Sequence, residues 1–124
     1  MSFFDKIFGG KENSPEHQSF WKKITSEEDL AKAIEASHHH KIAIFKHSTR
    51  CFISKTVLKN FEKEIDSLDN KLDLYFLDLL EYRSISNKIA KDFGIRHESP
   101  QLIVIEDGQV INSASHEDIS ASQV

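Results

Sequence analysis

Ile42-Ala43-Ile44-Phe45-Lys46-His47-Ser48-Thr49-Arg50-Cys51-Phe52-Ile53-Ser54 is the stretch on which the reading of this chain turns. Its four opening residues are apolar without interruption, which suits a strand buried on both faces. The polar run His47 to Arg50 closes that strand. From Phe52 the pattern changes period: Val57, Phe61, Ile65 and Leu68 recur at helical spacing, with Leu58 beside them. A strand over Lys41 to Lys46 and a helix over Phe52 to Leu68 follow. Cys51 falls at the junction, and it is the only cysteine of the chain.

Working outward, Thr25-Ser26-Glu27-Glu28 has the form of a capping box with Thr25 as N-cap, which predicts a helix over Ser26 to Ala36. Leu30 and Ile34 supply its inner face, and Trp21 and Ile24 pack beside its entry. Lys71 to Asp78 reads as a strand. Ser84 to Phe93 reads as a helix closed by Gly94. Asp107-Gly108 joins two strands, Gln101 to Glu106 and Gln109 to Ser113, in a tight hairpin. Ser115 caps a final helix starting at His116. This order predicts a mixed sheet with helices on both faces. The first three strands are expected to be parallel, with the hairpin adding an antiparallel edge.

The 124 residues, 39% hydrophobic and 29% charged, suit one domain. Residues 21–124 form it, and residues 1–20 read as an N-terminal extension or linker. In that extension Phe3, Phe4, Ile7 and Phe8 share a face closed by Gly9-Gly10. The formal net charge of -4 and the lack of a basic stripe argue against nucleic-acid binding. No membrane span or signal peptide is legible, and an unpaired cysteine suits a reducing cytoplasm. His38-His39-His40 cannot share one face of a regular element, so no metal site is expected.

Cys51 at the start of a helix faces unpaired backbone N–H groups and the positive end of the helix dipole. Lys46, His47 and Arg50 add positive charge nearby. These features lower a thiol pKa and favour the reactive thiolate. Ser54 is one helical turn on, where its hydroxyl can donate toward a thiolate. It cannot supply a second sulfur, so a mixed disulfide on Cys51 needs an external thiol to resolve it.

Cys51-Phe52-Ile53-Ser54, between strand and helix, resembles the Cys-x-x-Ser active site of the thioredoxin superfamily. The longer run Phe45 to Ser54 resembles the monothiol bacilliredoxin family, YtxJ type. The resemblance runs from about Ile24 to the C-terminus. It implies a thioredoxin-like α/β fold, with the active cysteine at the N-terminus of a helix. Cys51 would be the nucleophile, with Ser54 beside it. By the same resemblance Ser99 and Pro100 would dock substrate, with Pro100 cis; Thr49, Arg50, His47 and Phe52, adjacent to Cys51 in the chain, would also contact it. The family pattern has proline after the cysteine, where this chain has Phe52. The implied activity is removal of bacillithiol from protein mixed disulfides. Bacillithiol would be co-substrate, no cofactor would be tightly bound, and a flavoprotein disulfide reductase would regenerate the small thiol. A general monothiol redoxin and a redox-responsive binding module are the alternatives.

Overall fold

The structure, a computed structural model, describes residues 21–48, 52–66 and 73–124. In chain order its elements are β1 (Trp21–Lys23), α1 (Glu27–Ala36), β2 (Ile42–His47), α2 (Phe52–Asp66), β3 (Asp73–Asp78), α3 (Arg83–Phe93), β4 (Gln101–Glu106) and β5 (Gln109–Ser115). The five strands form one sheet in the order β1-β3-β2-β4-β5. The proposed extension over residues 1–20 lies outside the described residues, as do Leu68, Lys71 and Leu72.

Strand alternation sorts the core into two layers. Ile42 and Ile44 of β2, Ile103 and Ile105 of β4, and Tyr75 and Leu77 of β3 face Leu30 and Ala33 of α1 and Ile85 and Ile89 of α3. Ala43, Phe45, Leu102, Val104, Leu74 and Phe76 face Val57, Leu58 and Phe61 of α2. All six residues of β2 are buried. The expected mixed sheet with helices on both faces is therefore present.

Four expectations change. The three-residue β1, too short for a period to be read, pairs parallel with β3. The cap of α1 is Ser26, one residue later than expected: its hydroxyl accepts from Asp29 N at 3.1 Å. The Asp29 carboxylate in turn accepts from Thr25 N and Thr25 Oγ1. Ser26-x-x-Asp29 repeats the capping pattern one residue along, and the backbone took the second copy.

The third change concerns direction. β2 and β3 are parallel, but β4 runs antiparallel to β2, with Gln101 opposite Lys46. The expected parallel direction requires α3 to return the chain fully to the other end of the sheet. Residues 94–100 can span up to about 24 Å when extended, enough to bring the chain back beside the end of β2. Fourth, the final helix is replaced by two 3-10 turns, His116–Asp118 and Ala121–Gln123. Ile119 and Ala121 both pack on the α2 side of the sheet. Residues two apart lie on nearly opposite sides of a helix but on one side of extended chain. Ile119 and Ser120 are accordingly extended.

The hairpin matches expectation. Asp107 and Gly108 both have positive φ, 55° and 72°, as a primed two-residue turn requires. Ile111 is the extra residue of a bulge, since Ile105 pairs with Val110 and Val104 with Asn112. The turn is fastened to the end of α1: Asp107 N donates to Ser37 O, and Gly108 N donates to Ser37 Oγ at 2.9 Å. Ser37 is 1% exposed. Ser37→Ala should therefore lower stability by about 1–2 kcal/mol, read by urea denaturation.

Candidate active site

α2 begins at Phe52, the residue after Cys51. Thr49, Arg50 and Cys51 themselves lie outside the described residues, so the site is built from what flanks them. Ser54, Val57, Leu58 and Phe61 follow the i, i+3, i+4, i+7 rule and form the inward stripe of α2. Ser54 is thus carried to the sheet by the same period that buries the apolar residues, and it is 0% exposed.

Two groups from the end of β2 meet that hydroxyl. Ser48 N donates to Ser54 Oγ at 3.1 Å, and His47 Nδ1 lies 2.8 Å from the same oxygen. His47 is 3% exposed, with its ring packed near Phe45 and Phe76. A serine hydroxyl carries one proton. If His47 Nδ1 accepts, that proton is spent; if Nδ1 bears hydrogen and donates, the Ser54 proton is free for another acceptor. The His47 tautomer therefore governs what Ser54 can offer.

Phe52 and Ile53 point the other way and are 80% and 49% exposed. They line an open groove with Val57, Asn60 and Ile119, bordered by Glu64 and Glu117. Ser99 and Pro100 enter β4 next to the end of β2, and the peptide bond between them is cis. Pro100 O accepts from His116 N at 3.0 Å. Among the described residues, the buried Ser99 Oγ and Gln101 Oε1 have no hydrogen-bond partner.

Lys46 and His47 are neighbours on opposite faces. Lys46 follows Ile42 and Ile44 into the α1–α3 layer and is 0% exposed. Its Nζ donates to Ser86 O at 3.0 Å and lies 3.4 Å from His97 Nδ1. Ser86 Oγ is 3.2 Å from the same nitrogen. Burial pushes the Lys46 amine down to about 8. Burial, then Lys46 and Arg83, also hold His97 below its usual range, against an opposing pull from Glu98. Strand parity alone places Lys46 on this face. Nothing local in the sequence brings Ser86 and His97 to it.

The three histidines of the run take different partners. His38 approaches Asp107, His39 approaches Glu35, and His40 lies 2.6 Å from Asp73. Among the described residues no three His, Cys, Asp or Glu side chains converge as a metal site would need. No described helix is long and apolar enough to cross a membrane.

A strand–helix junction carrying Cys-x-x-Ser, beside a cis-proline that opens an antiparallel strand, defines a thiol–disulfide oxidoreductase of thioredoxin-like fold. Solved structures agree. One, described as having a thioredoxin fold with a provisional oxidoreductase assignment, is 29% identical with a TM-score of 0.74, over 86% of this chain and 94% of that one. The thioredoxin of Malassezia sympodialis aligns with a TM-score of 0.61 at 24% identity, over 77% of this chain and 78% of that one. Mitochondrial thioredoxin 3 of Saccharomyces cerevisiae gives 0.61 at 22%, over 81% and 89%. These last two bear on the fold alone. The family described as monothiol bacilliredoxin BrxC matches residues 22–124, and the chain belongs to that family.

The Lys46 amine has a lower pKa in the folded chain, about 8, than its ordinary 10.5. Between these values the unfolded chain holds the proton and the folded chain does not, so this group's contribution to stability rises with pH. Lys46→Met lacks it. The stability difference, Lys46→Met minus wild type, should therefore fall as pH rises from about 8 to 10.5, measured by urea denaturation at fixed ionic strength.

Proposed function

We propose that this protein removes bacillithiol from protein mixed disulfides in the cytoplasm by a one-cysteine exchange cycle. The observation that carries this reading is the burial of Ser54. The position where a two-cysteine redoxin would keep its resolving thiol is filled by a hydroxyl bonded to the end of β2. With Cys51 the only cysteine, release of a capped enzyme requires a thiol from outside the chain.

The cycle is two displacements. The Cys51 thiolate attacks the bacillithiol sulfur of the mixed disulfide; a new S–S bond forms, and the client sulfur leaves as a thiolate that takes up a proton. A second bacillithiol, as thiolate, then attacks the bacillithiol sulfur now on Cys51. Cys51 leaves as thiolate, and the oxidised bacillithiol dimer departs for reduction by a flavoprotein disulfide reductase. Bacillithiol is a co-substrate in this scheme, and no tightly bound cofactor takes part. A Cys51 thiolate at the start of α2 is favoured by the unpaired N–H groups of the first turn.

Arg50 binds the malate carboxylates of bacillithiol, for which its forked guanidinium is suited. Thr49, next to it in the sequence, adds a hydroxyl. Phe52, exposed directly after the nucleophile, offers an apolar surface to whatever is disulfide-linked there. Ser99 and Pro100 dock the client's extended segment. His47, buried against Ser54, acts by orienting that hydroxyl.

The test is a client protein carrying a bacillithiol mixed disulfide, incubated with free bacillithiol and followed by intact mass. Wild type should decap it catalytically with transient mass gain on Cys51, and Cys51→Ala should be inactive. Arg50→Ala should lose about tenfold with bacillithiol, corresponding to about 1.4 kcal/mol, and less with a neutral small thiol. Equal rates on a glutathione-capped client would instead favour a general monothiol redoxin. Capping of Cys51 without turnover would favour a binding module.

A further inference from the structure

Lys46 is an odd residue to find at the centre of a sheet. Its neighbours on that face are Ile42 and Ile44, and an isolated ammonium buried there costs several kcal/mol unless paired. A leucine or methionine would fill the space without that cost. The partners it has chosen are informative. One is a main-chain oxygen of α3, Ser86 O. The other is the imidazole of His97, two residues before Ser99. An ammonium has three donors and no acceptor, so His97 Nδ1 must accept, and the ring is neutral with its proton on Nε2. The Ser86 hydroxyl lies 3.2 Å from the same nitrogen, close enough to share its single lone pair with Lys46.

A second tie holds the same segment from the same strand pair. Gln101 stands opposite Lys46 in the β2–β4 register, and residues directly opposite in an antiparallel pair project to the same face. Gln101 Nε2 donates to Arg96 O at 2.9 Å. The segment 95–100 is therefore tied at Arg96 by β4 and at His97 by β2 and α3, immediately before the Ser99-Pro100 edge.

We propose that Lys46 is a positioning residue for the exchange reaction: its buried ammonium ties His97 to α3 and thereby fixes the segment that presents Ser99 and Pro100 to the client. The inference rests on the reading of Ser99-Pro100 as the docking edge. It acts on client binding and leaves the thiol untouched, because Lys46 lies on the face of the sheet opposite α2. It also carries a pH dependence. Protonating His97 removes the acceptor at Nδ1 and sets a second cation against Lys46, with Arg83 adding repulsion and Glu98 alone opposing it. Burial and the neighbouring cations hold this protonation below the ordinary histidine range; as the pH falls far enough for His97 to take up its proton, the tie weakens and client binding weakens with it.

The experiment compares wild type, Lys46→Met and His97→Gln across pH 5 to 8 on a mixed-disulfide client. Alkylation of Cys51 by iodoacetamide is run in parallel to remove the thiol's own titration. Wild type should show a client KM that rises at least fivefold on the acid side. Lys46→Met should have the raised KM at every pH, with alkylation within twofold of wild type. His97→Gln, which still accepts but does not titrate, should keep the low KM and lose the acid rise. An unchanged KM in folded Lys46→Met, or an alkylation rate that falls in step with it, overturns the proposal. Should Lys46→Met fail to fold, nitrogen NMR of the wild-type imidazole decides: an unprotonated Nδ1 at neutral pH supports the proposal, and a protonated Nδ1 overturns it. If bacillithiol-capped client is not turned over but glutathione-capped client is, the small-thiol reading fails, and the KM comparison proceeds on the second substrate.

Discussion

Strand β2 is hydrogen-bonded along both edges and covered on both faces, so each of its side chains ends in one core or the other. For Ile42 to Phe45 this is ordinary apolar burial. Lys46 and His47 inherit the same geometry with polar heads, and each must find partners where water is excluded. Lys46 finds them in α3 and the segment after it, His47 in α2. The two ends of the candidate site, the start of α2 and the approach to Pro100, are thus both held by the last turn of one central strand.

That arrangement separates two tasks that a redox site must perform. On the α2 face, the Ser48 amide and the His47 ring fix the Ser54 hydroxyl, which sets the polarity beneath the first turn of the helix. On the other face, Lys46, Ser86 and His97 fix backbone. Among the described residues these two sets of hydrogen bonds do not meet, so in the proposed scheme a change in docking can leave the chemistry in place.

The remaining cover is economical. Trp21 Nε1 donates to Glu62 Oε2 at 2.6 Å, tying the edge strand β1 to α2, and its ring packs against Phe45, Phe61 and Phe76. The C-terminal turns close the same layer through Ile119 and Ala121, with Ala121 N donating to Glu64 Oε1 at 2.8 Å. Phe52 and Ile53 are left in the open, and in the proposed scheme that apolar surface meets the incoming protein.

Local signals along the chain set the order of elements from α1 to β5, the place of Cys51 between β2 and α2, the inward stripe of α2 and the primed turn at Asp107-Gly108. Each is written in a period, a cap or a turn preference that acts over a few residues. Strand parity likewise put Lys46 and His47 on opposite faces before any packing is considered. Tertiary structure decided the antiparallel direction of β4, the pairing of β1, the extended break at Ile119 and the meeting of Lys46 with Ser86 and His97. Those partners are 40 and 51 residues from Lys46 along the chain. Local period says which face a side chain takes; only the path of the chain through residues 94–100 says what it will meet there.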